Sequence, residues 1–209
     1  MKPNWAEENL QTIRTLMERS AIYRRALAPI MIFVGGLGII GGVVGRWQRI
    51  DSPIGFFSFW SGIAIIALVG AFLLVRRQAL KDSEPFWSPP TRRVKDAMAP
   101  SFYAGAMISA TIVLMGDNLC PQTVFVAIWC LMFGCGIHAA GFFMQNGIRL
   151  FGWYFVSIGG GLFIALARPT IVPLQIINSP HFLMATIFGG LHLAYGIYLY
   201  FTEKRGNES

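Results

Sequence analysis

The chain has 209 residues, of which 55% are hydrophobic and only 13% are charged. Soluble domains carry about 25% charged residues, so the composition excludes a water-soluble globular protein and predicts an integral membrane protein. The formal net charge of +7 is typical of basic residues at cytoplasmic helix ends, and we do not expect a nucleic-acid partner.

Residues 1–25 form a polar segment with the pattern of an amphipathic helix. Asn4 and Glu7 have the spacing of a capping box at a helix start. Apolar residues then recur at three- or four-residue steps, at Leu10, Ile13, Met17 and Ala21. We expect a cytoplasmic helix that either lies in the membrane interface under the bundle or docks a soluble partner, with Glu18 and Arg19 as exposed contacts.

Six apolar stretches follow, each near the length of about 20 residues that crosses a bilayer core as a helix. They cover residues 26–45, 54–75, 97–115, 122–144, 148–167 and 182–201, and a short cytoplasmic tail, 202–209, follows them. The predicted fold class is therefore all-α: an integral membrane bundle of six transmembrane helices preceded by a cytoplasmic amphipathic helix.

The first of these spans is rich in glycine. Gly38 and Gly42, and likewise Gly41 and Gly45, have the small-xxx-small spacing that lets two helix backbones approach closely. This spacing predicts tight packing inside the bundle, with homodimerisation as the alternative.

Two longer connections separate the spans. Residues 76–96 form the longest polar loop, in which Pro85, Pro89 and Pro90 are predicted to prevent a continuous helix. Residues 168–181 form an apolar loop that contains three further prolines. Neither connection is predicted to cross the membrane.

Basic residues are distributed unequally between the two sides of the predicted bundle. Of the 17 Lys and Arg residues, five lie in the N-terminal segment, six in the loop 76–96, one at Arg149 and two in the tail, against three on the other side. The positive-inside rule therefore predicts a multi-pass membrane protein with both termini in the cytoplasm. Interfacial aromatic residues are expected outside at Trp47 and Trp60, and inside at Trp153 and Tyr200.

The interiors of the spans contain no Asp, Glu, Lys or Arg. Proton-coupled transporters, ion pumps and voltage sensors need charged residues at depth, and the residue patterns of intramembrane proteases are missing. The cysteines lack metal-binding spacing, and Cys130 and Cys135 are expected to act as small apolar side chains. We therefore predict no enzymatic activity, no catalytic residue and no metal site.

Histidine is the remaining ionisable residue of the spans, at His138 and His192, which are predicted at similar depth. One interpretation is a pair of neutral imidazoles hydrogen-bonded to nearby carbonyl or hydroxyl groups, such as those of Thr186 or Tyr195. The other is a cofactor site, in which both histidines ligate the iron of haem b or contact another metal or a quinone. His181 is expected at the outer surface.

Two motifs carry a resemblance to a known family. Residues 189–196 read Gly-Gly-Leu-His-Leu-Ala-Tyr-Gly and are followed by a basic tail, and Met17-Glu18-Arg19 precedes the glycine-rich first span. The chain thus resembles bacterial six-span membrane proteins of unassigned activity that have a C-terminal GGLHxxxG helix. Genes of that family often lie beside those of winged-helix transcription regulators. The positions that match its motifs are Met17, Glu18, Arg19, Gly189, Gly190, His192 and Gly196.

Three functional hypotheses follow. The first is a non-enzymatic sensory, regulatory or accessory membrane component that holds a cytoplasmic protein partner or forms a homo-oligomer. The second is a haem- or other cofactor-binding redox subunit that uses His192, together with His138. The third is a small-molecule transporter or channel, which would require the six spans to oligomerise.

Overall fold

The computed structural model describes residues 27–81, 89–116, 121–144, 146–168 and 179–207. Helices fill these ranges, and no strand occurs in them: α1 (Leu27–Trp47), α2 (Pro53–Lys81), α3 (Pro89–Leu114), α4 (Thr123–Ala140), α5 (Asn146–Ala167), and α6, whose three parts are Pro180–Met184, Ala185–Gly190 and Leu191–Asn207. All six are long and apolar enough to cross a membrane. This finding confirms the predicted all-α bundle of six transmembrane helices.

Several predicted features lie outside the described residues. These are the amphipathic N-terminal helix with its candidate contacts Glu18 and Arg19, the loop residues 169–178, and Cys120. The partner-binding role of Glu18 and Arg19 therefore stays a prediction.

Two helices extend further into the loop 76–96 than the sequence predicted. α2 continues to Lys81, and α3 already begins at Pro89. A proline in the first turn of a helix lacks only an N–H group that would have no partner there. Pro89 and Pro90 therefore begin α3. The predicted break in the helix falls on residues 82–88, outside the described residues, and stays a prediction. α6 likewise continues to Asn207 and includes part of the predicted tail.

Helices α1 and α6 run antiparallel with their backbones in contact. A Cβ atom added at Gly38 would lie 2.9 Å from the Cα of Gly189, and one added at Gly35 would lie 2.5 Å from the amide nitrogen of Leu193. The same row continues with Gly42 against Ala185 and Gly45 against His181. Close packing inside the bundle is thus confirmed for all four predicted glycines: Gly38, Gly42 and Gly45 face α6, and Gly41 faces Ile63 of α2.

A second antiparallel pair is formed by α4 and α5. A Cβ atom added at Gly152 would lie 2.7 Å from the backbone nitrogen of His138, and one at Gly159 would lie 2.8 Å from that of Leu131. Backbones this close leave no room for a side chain larger than that of glycine at these positions, so the two helices pack tightly along their length. Helix α3 packs on its outside, where Gly105 meets Met132.

The order of these contacts defines two ends of the bundle. We call the end at which α1 begins and α6 ends the terminal side, and the end that carries the α1–α2 turn the opposite side. At the opposite side the core is built from aromatic rings, among them Phe56, Trp60 and Phe125. Helix α2 is mostly exposed beyond this cluster, as expected of a helix that faces lipid on several sides.

Candidate functional site

Helix α6 changes its winding in the middle of the predicted motif. Residues Ala185–Gly190 form a π-helical segment between two α-helical parts. Such wide turns are rare in proteins, and those that occur often lie at functional sites. The widened segment contains Gly189, where the backbone of α1 packs directly on α6, and it ends two residues before His192. The candidate site is therefore centred on this segment and its histidine.

His192 is enclosed by four phenylalanine rings. Its ring centroid lies 5.1 Å from Phe151, 5.2 Å from Phe133, 5.5 Å from Phe155 and 6.3 Å from Phe188. Only 3% of the residue is exposed. Three helices, α4, α5 and α6, thus contribute to one aromatic cage around an imidazole.

A single backbone contact fixes the orientation of this imidazole. Its Nδ1 lies 2.6 Å from the carbonyl oxygen of Phe188, which can only accept, so Nδ1–H of His192 is the donor. The predicted hydrogen bond of this imidazole to a nearby carbonyl group is present, with Phe188 as the acceptor and not Thr186 or Tyr195. Thr186 donates its hydroxyl to its own helix, to the carbonyl of Phe182. Nε2 of His192 has no hydrogen bond within the described residues.

His138 lies in a different environment, at the terminal end of α4. Its Nδ1–H donates to the carbonyl oxygen of Arg149 over 3.3 Å, which ties α4 to the first turn of α5. Its ring contacts Phe142 at 5.5 Å and Trp153 at 5.4 Å between centroids. The residue is half-buried, and Trp153 is exposed as predicted for an interfacial aromatic residue.

The two histidines are not brought together. His138 contacts α5 at Trp153, whereas His192 contacts it at Phe151. Positions two residues apart differ by about 200° around an α-helix, so α5 stands between the imidazoles. The structure does not place them on two sides of one haem-sized space. Haem binding as such stays a prediction, and no group of three metal-ligating side chains occurs in the described ranges.

His181 is the residue that the sequence misplaced. It was expected at the outer surface, but it is buried with 6% exposure. Its Nδ1 accepts from the indole Nε1–H of Trp60 over 3.2 Å, and its Nε2–H donates to the carbonyl oxygen of Ile50 over 3.1 Å. Because Nδ1 accepts and Nε2 donates, the ring is the neutral Nε2–H tautomer.

These contacts make His181 a junction of three elements at the opposite side. Its ring fills the space left by Gly45 of α1, hydrogen-bonds the α1–α2 turn and packs edge-on against Phe56 of α2 at 4.9 Å. Trp60, predicted at the outer interface, is instead buried with 7% exposure because its N–H reaches this imidazole. One feature of the sequence could have indicated that His181 lies in a helix: it follows Pro180, and proline is common at the first position of a helix.

The cysteines divide between core and surface. Cys130 is fully buried as predicted, but Cys135 is exposed on α4. The expectation that both fill buried positions is therefore wrong for Cys135. Five residues rotate a helix position by about 140°, which takes the second thiol away from the core.

The chain was also compared with known proteins. No protein-family model, curated protein or solved structure matches it. The resemblance to the bacterial six-span family therefore rests on the residue motifs alone and stays a prediction.

Proposed function

We propose that this chain is a non-enzymatic component of a bacterial cytoplasmic membrane with both termini in the cytoplasm. It acts as a sensory, regulatory or accessory protein, and it binds a cytoplasmic protein through its terminal side. Membership of the six-span family with the GGLHxxxG helix is part of this proposal. The family's frequent neighbourhood with winged-helix regulators is in keeping with a regulatory role.

A helical basic projection at the terminal side carries the proposal. Helix α2 has 29 residues, which span about 44 Å at 1.5 Å per residue, whereas the hydrocarbon core of a bilayer is about 30 Å thick. Its last turns, residues 76–81, therefore extend beyond the hydrocarbon core, and the first turns of α3, residues 89–96, lie at the same end of the bundle. We call these two helical ends the basic projection.

The charge of the basic projection indicates the chemistry of its partner. Arg76, Arg77, Lys81 and Arg93 are exposed cations, and the one acidic side chain described there, Asp96, is paired with Lys95 at 2.9 Å. Cations held on rigid helices attract an acidic protein surface and orient it on approach. We therefore propose an acidic face on the cytoplasmic partner.

The proposed orientation is supported by the charge count together with the helix order. The basic projection, Arg149 and both ends of the described bundle lie on the terminal side, where most of the basic residues are found. A fluorescent protein fused after Ser209 is expected to fluoresce in cells, and an alkaline phosphatase inserted after Arg49 is expected to be active. If a phosphatase were fused at the C-terminus in place of the fluorescent protein and were active, the proposed orientation would be wrong.

Capture of a partner tests the functional proposal. The tagged full chain, purified in mild detergent, is expected to retain a protein that is lost in the variant R76E/R77E, because charge reversal repels an acidic surface. The matched control R46E/R49E changes two arginines on the opposite side and should retain it. A chain that purifies alone, or a protein that both variants retain equally, would contradict the proposal.

A further inference from the structure

We propose that Arg149 forms a binding site for the phosphate of an anionic phospholipid at the terminal side. This site is separate from the basic projection, because it is built from α4, α5 and the turn between them. It therefore does not depend on the proposed protein partner.

The side chain of Arg149 is held in place by its neighbours. Its Cζ lies 4.3 Å above the ring of Phe142, a cation–π contact. A Cβ atom at Gly141 would lie 2.5 Å from its Cγ, so the aliphatic stem runs directly over the turn that ends α4. The backbone of Arg149 is fixed as well, since its carbonyl oxygen accepts from His138. The guanidinium is thus positioned in advance of any ligand.

The guanidinium lacks an anionic partner in this part of the molecule. Between Asp117 and Glu203 the sequence contains no acidic residue, and no ion pair joins Arg149 to a carboxylate of the described residues. Its Nε is buried without a hydrogen-bond partner there. A partly buried, unpaired cation is costly, so an anion from outside the chain would stabilise this arrangement.

The accessible edge of the guanidinium lies among membrane-interface residues. Nε of Arg149 is enclosed, whereas the residue as a whole is partly exposed and can reach a ligand. Phe142, which lies under the guanidinium, is 62% exposed, and Trp153, about one turn further along α5, is 55% exposed. Aromatic rings of this kind lie at the headgroup level of a bilayer. The N–H groups in the first turn of a helix have no partner within that helix, so the start of α5 adds positive potential for an anion.

These neighbours favour a lipid phosphate over a phosphate in solution. A planar guanidinium can bind two oxygens of one phosphate at once, while the exposed ring of Phe142 beneath it would contact the acyl chain of the same lipid. A soluble phosphate would use the first contact but not the second.

Lipid-dependent stability tests this site in the purified full chain. In a neutral detergent, phosphatidylglycerol is expected to raise the unfolding temperature by a few degrees, and phosphatidylcholine or inorganic phosphate is expected to have little effect. Arg149→Gln should remove the shift, whereas Arg168→Gln, at the other end of α5, should keep it. Equal stabilisation of the Arg149→Gln variant by phosphatidylglycerol, or an equal shift with inorganic phosphate, would overturn the proposal.

A second variant, with a different measurement, tests the site if Arg149→Gln does not fold. Arg149→Lys keeps the charge but loses the planar fork and the flat stacking on Phe142. Native mass spectrometry is expected to show fewer retained phosphatidylglycerol molecules on this variant than on the parent chain. Unchanged lipid retention would count against Arg149 as the binding group.

Discussion

Replacing Gly38 by leucine should lower the stability of the bundle strongly, whereas the same change at Gly36 should leave its stability nearly unchanged. A Cβ atom at Gly38 would lie 2.9 Å from the Cα of Gly189, a backbone atom that cannot move aside without displacing α6. At Gly36 a Cβ atom would meet nothing within 4 Å. Overpacking a tight contact typically costs about 1–3 kcal/mol, and a backbone-to-backbone contact lies at the upper end of that range.

The pair Gly36 and Gly38 provides a closely matched control. Both glycines lie on α1, and both changes add the same apolar side chain and the same gain in helix propensity. Size-exclusion profiles and unfolding midpoints in detergent should therefore differ only through packing. On α6, Gly189→Ala and Gly190→Ala should repeat the contrast. A Cβ atom added at Gly189 would lie 2.7 Å from the backbone nitrogen of Ile39 on α1, whereas one added at Gly190 would only meet a carbonyl oxygen of its own helix, at 4.0 Å. Equal stability of the two α1 variants would show that α1 and α6 do not pack in this way.

The glycine row shows how far the sequence alone could predict this fold. Apolar length is a local property, so the six spans were predicted correctly, and the small-xxx-small spacing indicated a tight contact on α1. The identity of the partner helix was not predictable from that spacing. α6 and α1 are separated by most of the chain, and only the folded bundle shows that Gly41 turns to α2 while Gly38 turns to α6.

The surroundings of His192 were predictable only in part. An ionisable residue in an apolar span indicated a special position, and a hydrogen bond to a carbonyl was among the stated interpretations. The four phenylalanines come from three helices, and no periodicity in the sequence relates Phe133 to Phe188. The change of winding at Ala185–Gly190 was also not predicted, since a π segment depends on the packing of α6 against α1 as much as on its own residues.

His181 was misplaced for a similar physical reason. It follows Asn178, Ser179 and Pro180 at the end of a loop, so the residues nearest to it in the sequence indicate a polar surface position. Its donor, Trp60, lies 121 residues away, and its acceptor is a backbone carbonyl in the α1–α2 turn. A tryptophan near a span end indicates the interface when considered alone. The buried pair becomes visible only when α2 and α6 are brought together.

Removing the imidazole of His181 should therefore destabilise the bundle strongly. His181→Leu fills a similar volume but leaves the indole N–H of Trp60 and the carbonyl of Ile50 without partners. Each unsatisfied buried polar group costs about 1–3 kcal/mol, so we expect a loss well above that of His138→Leu, whose ring is half-buried and makes one bond of 3.3 Å. The unfolding free energy in mixed detergent micelles measures both.

A double-mutant cycle separates the Trp60–His181 hydrogen bond from general packing. Trp60→Phe removes the donor, so in its background the change His181→Leu no longer strands an indole N–H. The combined loss of unfolding free energy should then be smaller than the sum of the two single losses, by about 0.5–3 kcal/mol, as for residues in direct contact. The pair Trp60 and His138, which do not share a contact, should give additive losses. Additivity for Trp60 and His181 as well would mean that the imidazole stabilises α6 through shape alone and that the buried hydrogen bond contributes nothing.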